Sequence, residues 1–138
     1  VLDRGFVTYS NEAKRQLLGV SDDILEAFGA VSPATAWAMA QGALRNSEAD
    51  VAVSISGIAG PGGGSEMKPV GTVVFAFAHL GQNNEEISTE QRLLDGQDRA
   101  TIRLQATLVA LELLLPPQNG SRWVPQETSE VHVLNTPF

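Results

Sequence analysis

The sequence predicts an α/β domain: a three-layer α/β/α sandwich about a mixed β-sheet. Three observations predict it. Helix-start signals recur along the chain, at Ser10, Ser21, Ser32 and Asp95. Two short apolar runs, Val51–Ile55 and Val73–Ala78, lie between helical stretches. Helices that alternate with strands cover both faces of a sheet. The length of 138 residues suits one domain with one core.

Residues 2–9, centred on Phe6 and Val7, have the composition of a strand. Ser10 or Asn11 then caps a helix whose apolar stripe includes Leu17 and Leu18, and Gly19 ends it. Ser21 caps a short helix over 22–28 with acids in its first turn. Ser32–Pro33 joins a capping hydroxyl to a proline at the first helical position, and Ala36, Ala40, Ala43 and Leu44 share one face of the helix that follows. Small residues there permit close packing on a sheet. The β-branched strand 51–55 runs into a loop over 57–71, and the near-continuous apolar run 73–78 reads as a strand buried on both faces. After turn chemistry at 81–84, residues 87–94 alternate and pair back antiparallel. Asp95 opens a last helix carrying Ile102, Ala106, Val109 and Leu113, which stops at Pro116–Pro117. Periodicity then fades. The domain is therefore assigned to 1–117, with a tail over 118–138 in which 130–134 suits an edge strand or an arm onto a neighbour. The opening at Val1, directly in a strand-like run, reads as a domain whose N-terminal part is missing.

Composition narrows the function. Hydrophobic residues make up 43% of the chain, so a packed core is expected. No apolar run is long enough for a membrane helix, and cysteine is absent, which suits a reducing, cytoplasmic setting. Sixteen acids against nine Lys and Arg give a formal charge of −7, with the bases scattered singly, which argues against nucleic acid. A small anion remains compatible, since one Arg and a backbone nest can hold a phosphate on an acidic protein. His79 and His132 have no partner at ligand spacing, so no metal is expected, and Trp37 and Trp123 read as packing residues.

Three clusters can carry chemistry. Ser56, Gly57, Ile58, Ala59 and Gly60 follow directly on the first apolar strand and lead into Pro61 and three further glycines. Such a run either connects flexibly or turns several N–H groups toward one point, as an anion or oxyanion site. It is neither a phosphate-binding P-loop nor a dinucleotide fingerprint. The rigid Lys68–Pro69 that follows favours a built site. Tyr9 and Lys14 flank a strand–helix junction: Lys14 is either a solvated helix residue or, partly desolvated, a general base. Arg99 and Arg103 share a helix face near its N-terminus, either as surface charges or as phosphate contacts.

Read together, Val7 to Lys14, Leu18-Gly19-Val20, Gly29 to Ser32, Met39 to Ala43, Ser56 to Gly64, Lys68 to Val73 and Asp98-Arg99 through Arg103 resemble the C-terminal domain of competence/damage-inducible protein A, the family of nicotinamide-nucleotide amidases. The resemblance runs in order from about Phe6 to Leu115. It implies hydrolysis of the carboxamide of nicotinamide mononucleotide to nicotinate mononucleotide and ammonia, without a cofactor. It implies a serine nucleophile from a Glu-Ser-Cys-Thr-Gly-Gly segment upstream of this region. Lys14 then corresponds to the general base, Tyr9 to its partner in proton handling, Ser56 to Gly60 to ligand contacts, and Arg99, with Arg103, to the phosphate contact. Ser56 stands where the family usually has Thr, and Gly62 where many relatives have Asp. A nucleotide substrate and a homo-oligomer are expected as partners. The alternative is a non-catalytic nucleotide-binding or interaction module of the same fold.

Overall fold

The computed structural model describes residues 2–83, 86, 88–96 and 98–116. Among the described residues four helices and three strands follow in the order α1 (Asn11–Leu18), α2 (Asp22–Phe28), α3 (Pro33–Arg45), β1 (Val51–Gly57), β2 (Thr72–His79), β3 (Ser88–Leu93) and α4 (Arg99–Leu114). Each helix begins where a side-chain oxygen accepts a free first-turn N–H. Ser10 accepts from Ala13, Ser21 from Ile24, Ser32 from Thr35 and Asp98 from Thr101. Such a cap stabilises by about 1 kcal/mol.

β2 is the central strand, and its residues from Thr72 to Ala78 are all buried. Alternate side chains serve opposite layers. Val73 and Phe75 meet Ile102, Ala106, Val109 and Ala110 of α4, whereas Val74, Ala76 and Ala78 meet Ala36 and Ala40 of α3. Burying a residue such as Phe75 stabilises by about 1.5–3 kcal/mol, so this strand anchors both layers. α1 and α2 pack on α3 through Leu18, Val20, Leu25 and Met39. Ala43 joins that third cluster rather than the sheet-facing one.

The α/β class stands, with helices on both faces of the sheet. The described strands run in the order β1-β2-β3: β3 pairs back antiparallel on β2 as expected, but β1 is antiparallel to β2 as well, so the described sheet is antiparallel rather than mixed. A parallel pair needs a long crossover, usually helical. The connection from β1 to β2 is instead a helix-free loop that returns directly, with Gly57 opposite Val73.

Two element boundaries also moved. Residues 2–9 are not a strand. Their side chains alternate as a strand's would, with Phe6 packed on the third cluster and Thr8 buried, while Val7 and Tyr9 are 88% and 91% exposed. Their backbone joins no ladder with any described residue, and strand-forming composition makes a strand only where a neighbouring backbone bonds it. The segment is pinned near its start, where Arg4 donates to the Asn46 carbonyl at 2.9 Å and Asp3 accepts from the Glu48 N–H. The last helix starts at Arg99, capped by Asp98, and not at Asp95. The Leu94 N–H still bonds Gly71 O at 2.7 Å beside the sheet, so the chain needs the following residues to reach the helical layer. The expected tail over 118–138, with its 130–134 strand or arm, His132 and Trp123, lies outside the described residues.

Candidate active site

α1 carries the first candidate. Its C-terminal end is tied to the α3–β1 turn, where Arg45 and Asn46 donate to the carbonyls of Leu18 and Leu17. An eight-residue helix is about 12 Å long. Tyr9 and Ser10 lie at the other end of that helix. The C-terminus of β1 comes to the turn before α3. There Ser56 Oγ donates to Ala30 O at 2.7 Å, just before α3 begins. Arg99, at the start of α4, donates from Nη1 to Gly60 O at 3.0 Å. The loop after β1 and the N-termini of α3 and α4 converge on this end of β1.

Lys14 occupies the face of α1 that also carries Leu18, one turn on, and is only 6% exposed. Its Nζ donates to the Thr8 carbonyl at 2.7 Å, and it forms no ion pair with a described residue. Burial pushes its ammonium below the ordinary lysine value of 10.5. Of the two readings left by the sequence, the solvated one fails: the side chain is an apolar-facing lysine with one neutral partner. Its four-residue spacing to Leu18, not used in the sequence reading, is the signal that would have placed it there. Tyr9, its neighbour across the junction, points to solvent and is not hydrogen-bonded to Lys14.

The glycine loop is braced rather than slack. Ile58 N–H donates to Thr72 O at 2.9 Å and Ile58 O accepts from Gly71 N–H at 2.7 Å, which closes the loop's base. A Cβ at Gly57 would lie 2.8 Å from Val73 Cγ2 and 3.0 Å from Thr72 O, so only glycine lets β1 approach β2 this closely. Gly60 has φ +77° and a Cβ there would stand 2.6 Å from Val70 Cγ1. The backbone is thus wrapped onto Val70. Ile58 N–H is consumed by the fold, while the N–H groups of Ala59, Gly60, Gly62, Gly63 and Gly64 donate to no described residue. These remain able to meet an anion or a developing oxyanion.

The other candidates divide. Arg99 is placed at the loop by its bond to Gly60. Arg103, one turn further along α4, is exposed, with its guanidinium bonded to no described residue. Asp98 is a cap, and the Thr101 N–H holds its carboxyl below the usual range. No hydrogen bond joins Lys14 or Tyr9 to the loop among the described residues. The buried hydroxyls of Thr35, Ser54 and Ser56 all donate to backbone carbonyls, so none of them sits against Lys14 as an activated nucleophile. Among the described residues no group of His, Asp and Glu could hold a metal ion. Two contacts escaped the sequence reading. Glu90, 3% exposed on β3, pairs with Arg92 at 2.7 Å, and burial raises its pKa. Lys68 Nζ reaches Phe28 O at 2.9 Å, across 40 residues of sequence.

Fold and site define an α/β domain with a desolvated lysine and a backbone-donor loop toward one end of its sheet. The sequence model of the CinA C-terminal domain matches residues 1–116, and the chain belongs to that family. It is 53% identical over 113 residues to nicotinamide-nucleotide amidohydrolase PncC of Enterobacter agglomerans and 55% identical over 112 residues to the protein of that name from Escherichia coli strain K12. These matches cover 82% and 81% of the chain, which spans 66% of the length of either relative. Among solved structures, the competence/damage inducible protein CihA from Agrobacterium tumefaciens superposes with a TM-score of 0.78 at 49% identity, covering 83% of this chain and 67% of that one. The CinA superfamily protein from Escherichia coli does so with a TM-score of 0.69 at 38% identity, covering 76% and 58%.

Proposed function

We propose that this chain forms the base-and-loop part of a nicotinamide-nucleotide amidase, converting nicotinamide mononucleotide and water to nicotinate mononucleotide and ammonia. The observation that carries the reading is Lys14: buried, unpaired with any described carboxylate, and depressed in pKa. A lysine whose pKa is lowered by burial is deprotonated, and so able to act as a base, at lower pH than a solvated one. The reaction is acyl transfer. A serine on polypeptide outside these 138 residues gives its proton to Lys14 and attacks the carboxamide carbon. Free N–H groups of the loop hold the oxyanion, ammonia leaves with a proton returned from the lysine, and water resolves the ester. Tyr9 assists that proton transfer once substrate and serine cover it. Arg99, with Arg103 behind it, receives the phosphate, and Ser56 to Gly60 line the reacting end. The protein works in the cytoplasm as a homo-oligomer.

The test is ammonia release from nicotinamide mononucleotide by the complete polypeptide, with chelator present, and hydroxylamine added to trap an acyl-enzyme as the hydroxamate. Release that ignores the chelator, together with trapping, is the expected result; no release contradicts the amidase reading. One observation favours a second reading, a nucleotide-binding module: none of Thr35, Ser54 and Ser56 offers a free nucleophile. Binding of the mononucleotide without turnover by the complete polypeptide would establish it.

A further inference from the structure

The glycine loop has two limbs, and each is tethered from a different layer. Arg99 holds the first limb at Gly60 O. The second limb is a tight turn in which Ser65 N–H donates to Lys68 O at 2.9 Å and Ser65 Oγ accepts from Lys68 N–H at 3.0 Å. From that turn Lys68 Nζ donates to Phe28 O, the last carbonyl of α2, at 2.9 Å. A helix C-terminus presents unsatisfied carbonyls and favours a cation. Two residues on, Ala30 O accepts from Ser56 at the root of the loop. The α2–α3 turn is therefore bonded to both the root and the far limb of the loop.

We infer that Lys68 is a positioning residue for the amidase reaction: its ammonium fixes the second limb of the glycine loop against α2, so that the free N–H groups of Gly62 to Gly64 are already aimed when substrate arrives. This rests on the amidase reading above. A preset donor costs no reorganisation in the transition state, whereas a small displacement of a catalytic group costs rate. Charge alone does not do this work, because the bond is to one carbonyl at one distance. Arginine, longer but still a donor, recovers part of it, and methionine, with the same apolar stem, does not.

The experiment compares Lys68→Met and Lys68→Arg with the parent. In the 138-residue chain, amide hydrogen exchange is followed within α3 and at the bonded loop amides of Ser65, residue 68 and Gly71. In the complete polypeptide, kcat and KM for nicotinamide mononucleotide are measured beside Tm. The expected result for Lys68→Met is faster exchange confined to the loop, Tm within about 2 °C of the parent, and kcat lower by about tenfold or more with a smaller change in KM. Lys68→Arg should restore part of both. Parent-like exchange and kcat in Lys68→Met would overturn the inference, as would a loss of kcat that merely follows a loss of Tm. If the parent polypeptide releases no ammonia, the amidase reading fails, and parent-like loop exchange in Lys68→Met would separately remove the tether.

Discussion

The glycine loop and the N-terminal segment contradict their compositions in opposite ways. Residues 57–64 are the stretch most suited to a slack connection, yet they are wrapped on Val70, zipped at the base by Ile58 and held by Arg99. Residues 2–9 have the β-branched and aromatic character of a strand, and even its alternation, yet they join no ladder with any described residue and leave Val7 and Tyr9 exposed. Composition sets what a backbone can do, and available partners decide what it does. Glycine is permissive rather than flexible in itself, and here its permissiveness is spent on close approach. A strand former without a neighbouring backbone has nothing to bond.

The largest effect that sharpens this contrast is at Lys14, where the N-terminal segment supplies the Thr8 carbonyl. Lys14→Met keeps the buried stem and removes the base, so turnover should fall by about a hundredfold to ten-thousandfold. Stability should not fall with it. The buried ammonium has a lowered folded pKa, so between that value and 10.5 the unfolded chain holds more protons and parent stability rises with pH. Below that window the parent carries the cost of a buried charge, which methionine lacks. Thermal melts across pH check the sign: the variant should match or exceed the parent near neutral pH and lose that advantage as pH climbs.

Next comes Arg99, which braces the loop and is the proposed phosphate contact. Arg99→Ala should lower kcat/KM for nicotinamide mononucleotide by about a hundredfold, the equivalent of about 2–3 kcal/mol from a charge-assisted contact. If the lost contact is to phosphate, nicotinamide riboside suffers far less. An equal loss on both substrates would mean that the bond to Gly60 O, not the phosphate, is what Arg99 contributes. The smallest effects compare the two regions directly. Gly60→Ala forces a Cβ onto Val70 at a positive φ and should cost about 1–3 kcal/mol in urea unfolding. Val7→Ser, at an 88% exposed position, should stay within about 0.5 kcal/mol. Equal costs at the two sites would break the comparison.

What the sequence made legible follows the same division. Helices declared by local capping appeared where expected, because Ser10, Ser21 and Ser32 act within one turn of themselves. The buried run of β2 was legible because hydrophobicity on both faces has one common cause. Features that depend on distant partners were not. The antiparallel return of β3 was legible from its turn chemistry, whereas the antiparallel direction of β1 against β2 and the delay of α4 to Arg99, after Leu94 bonds Gly71 O, depend on partners more than ten residues away. Within the site, Arg99 and the loop were named from sequence and the structure brings them together. Lys14 was left open between solvent and crevice until its face of α1 was known. Lys68 had no local signal at all, since its partner carbonyl is at Phe28.

The central claim is that Lys14 acts as a base because the fold keeps it dry. The measurement that tests it most directly is the pH dependence of kcat/KM for ammonia release from nicotinamide mononucleotide by the complete polypeptide. A base works in its deprotonated form, so the account predicts a rate that rises with pH along a limb centred below the ordinary lysine value of 10.5, and a limb that vanishes in Lys14→Met. A limb retained by Lys14→Met, or full activity in that variant, would contradict the assignment of the base to Lys14.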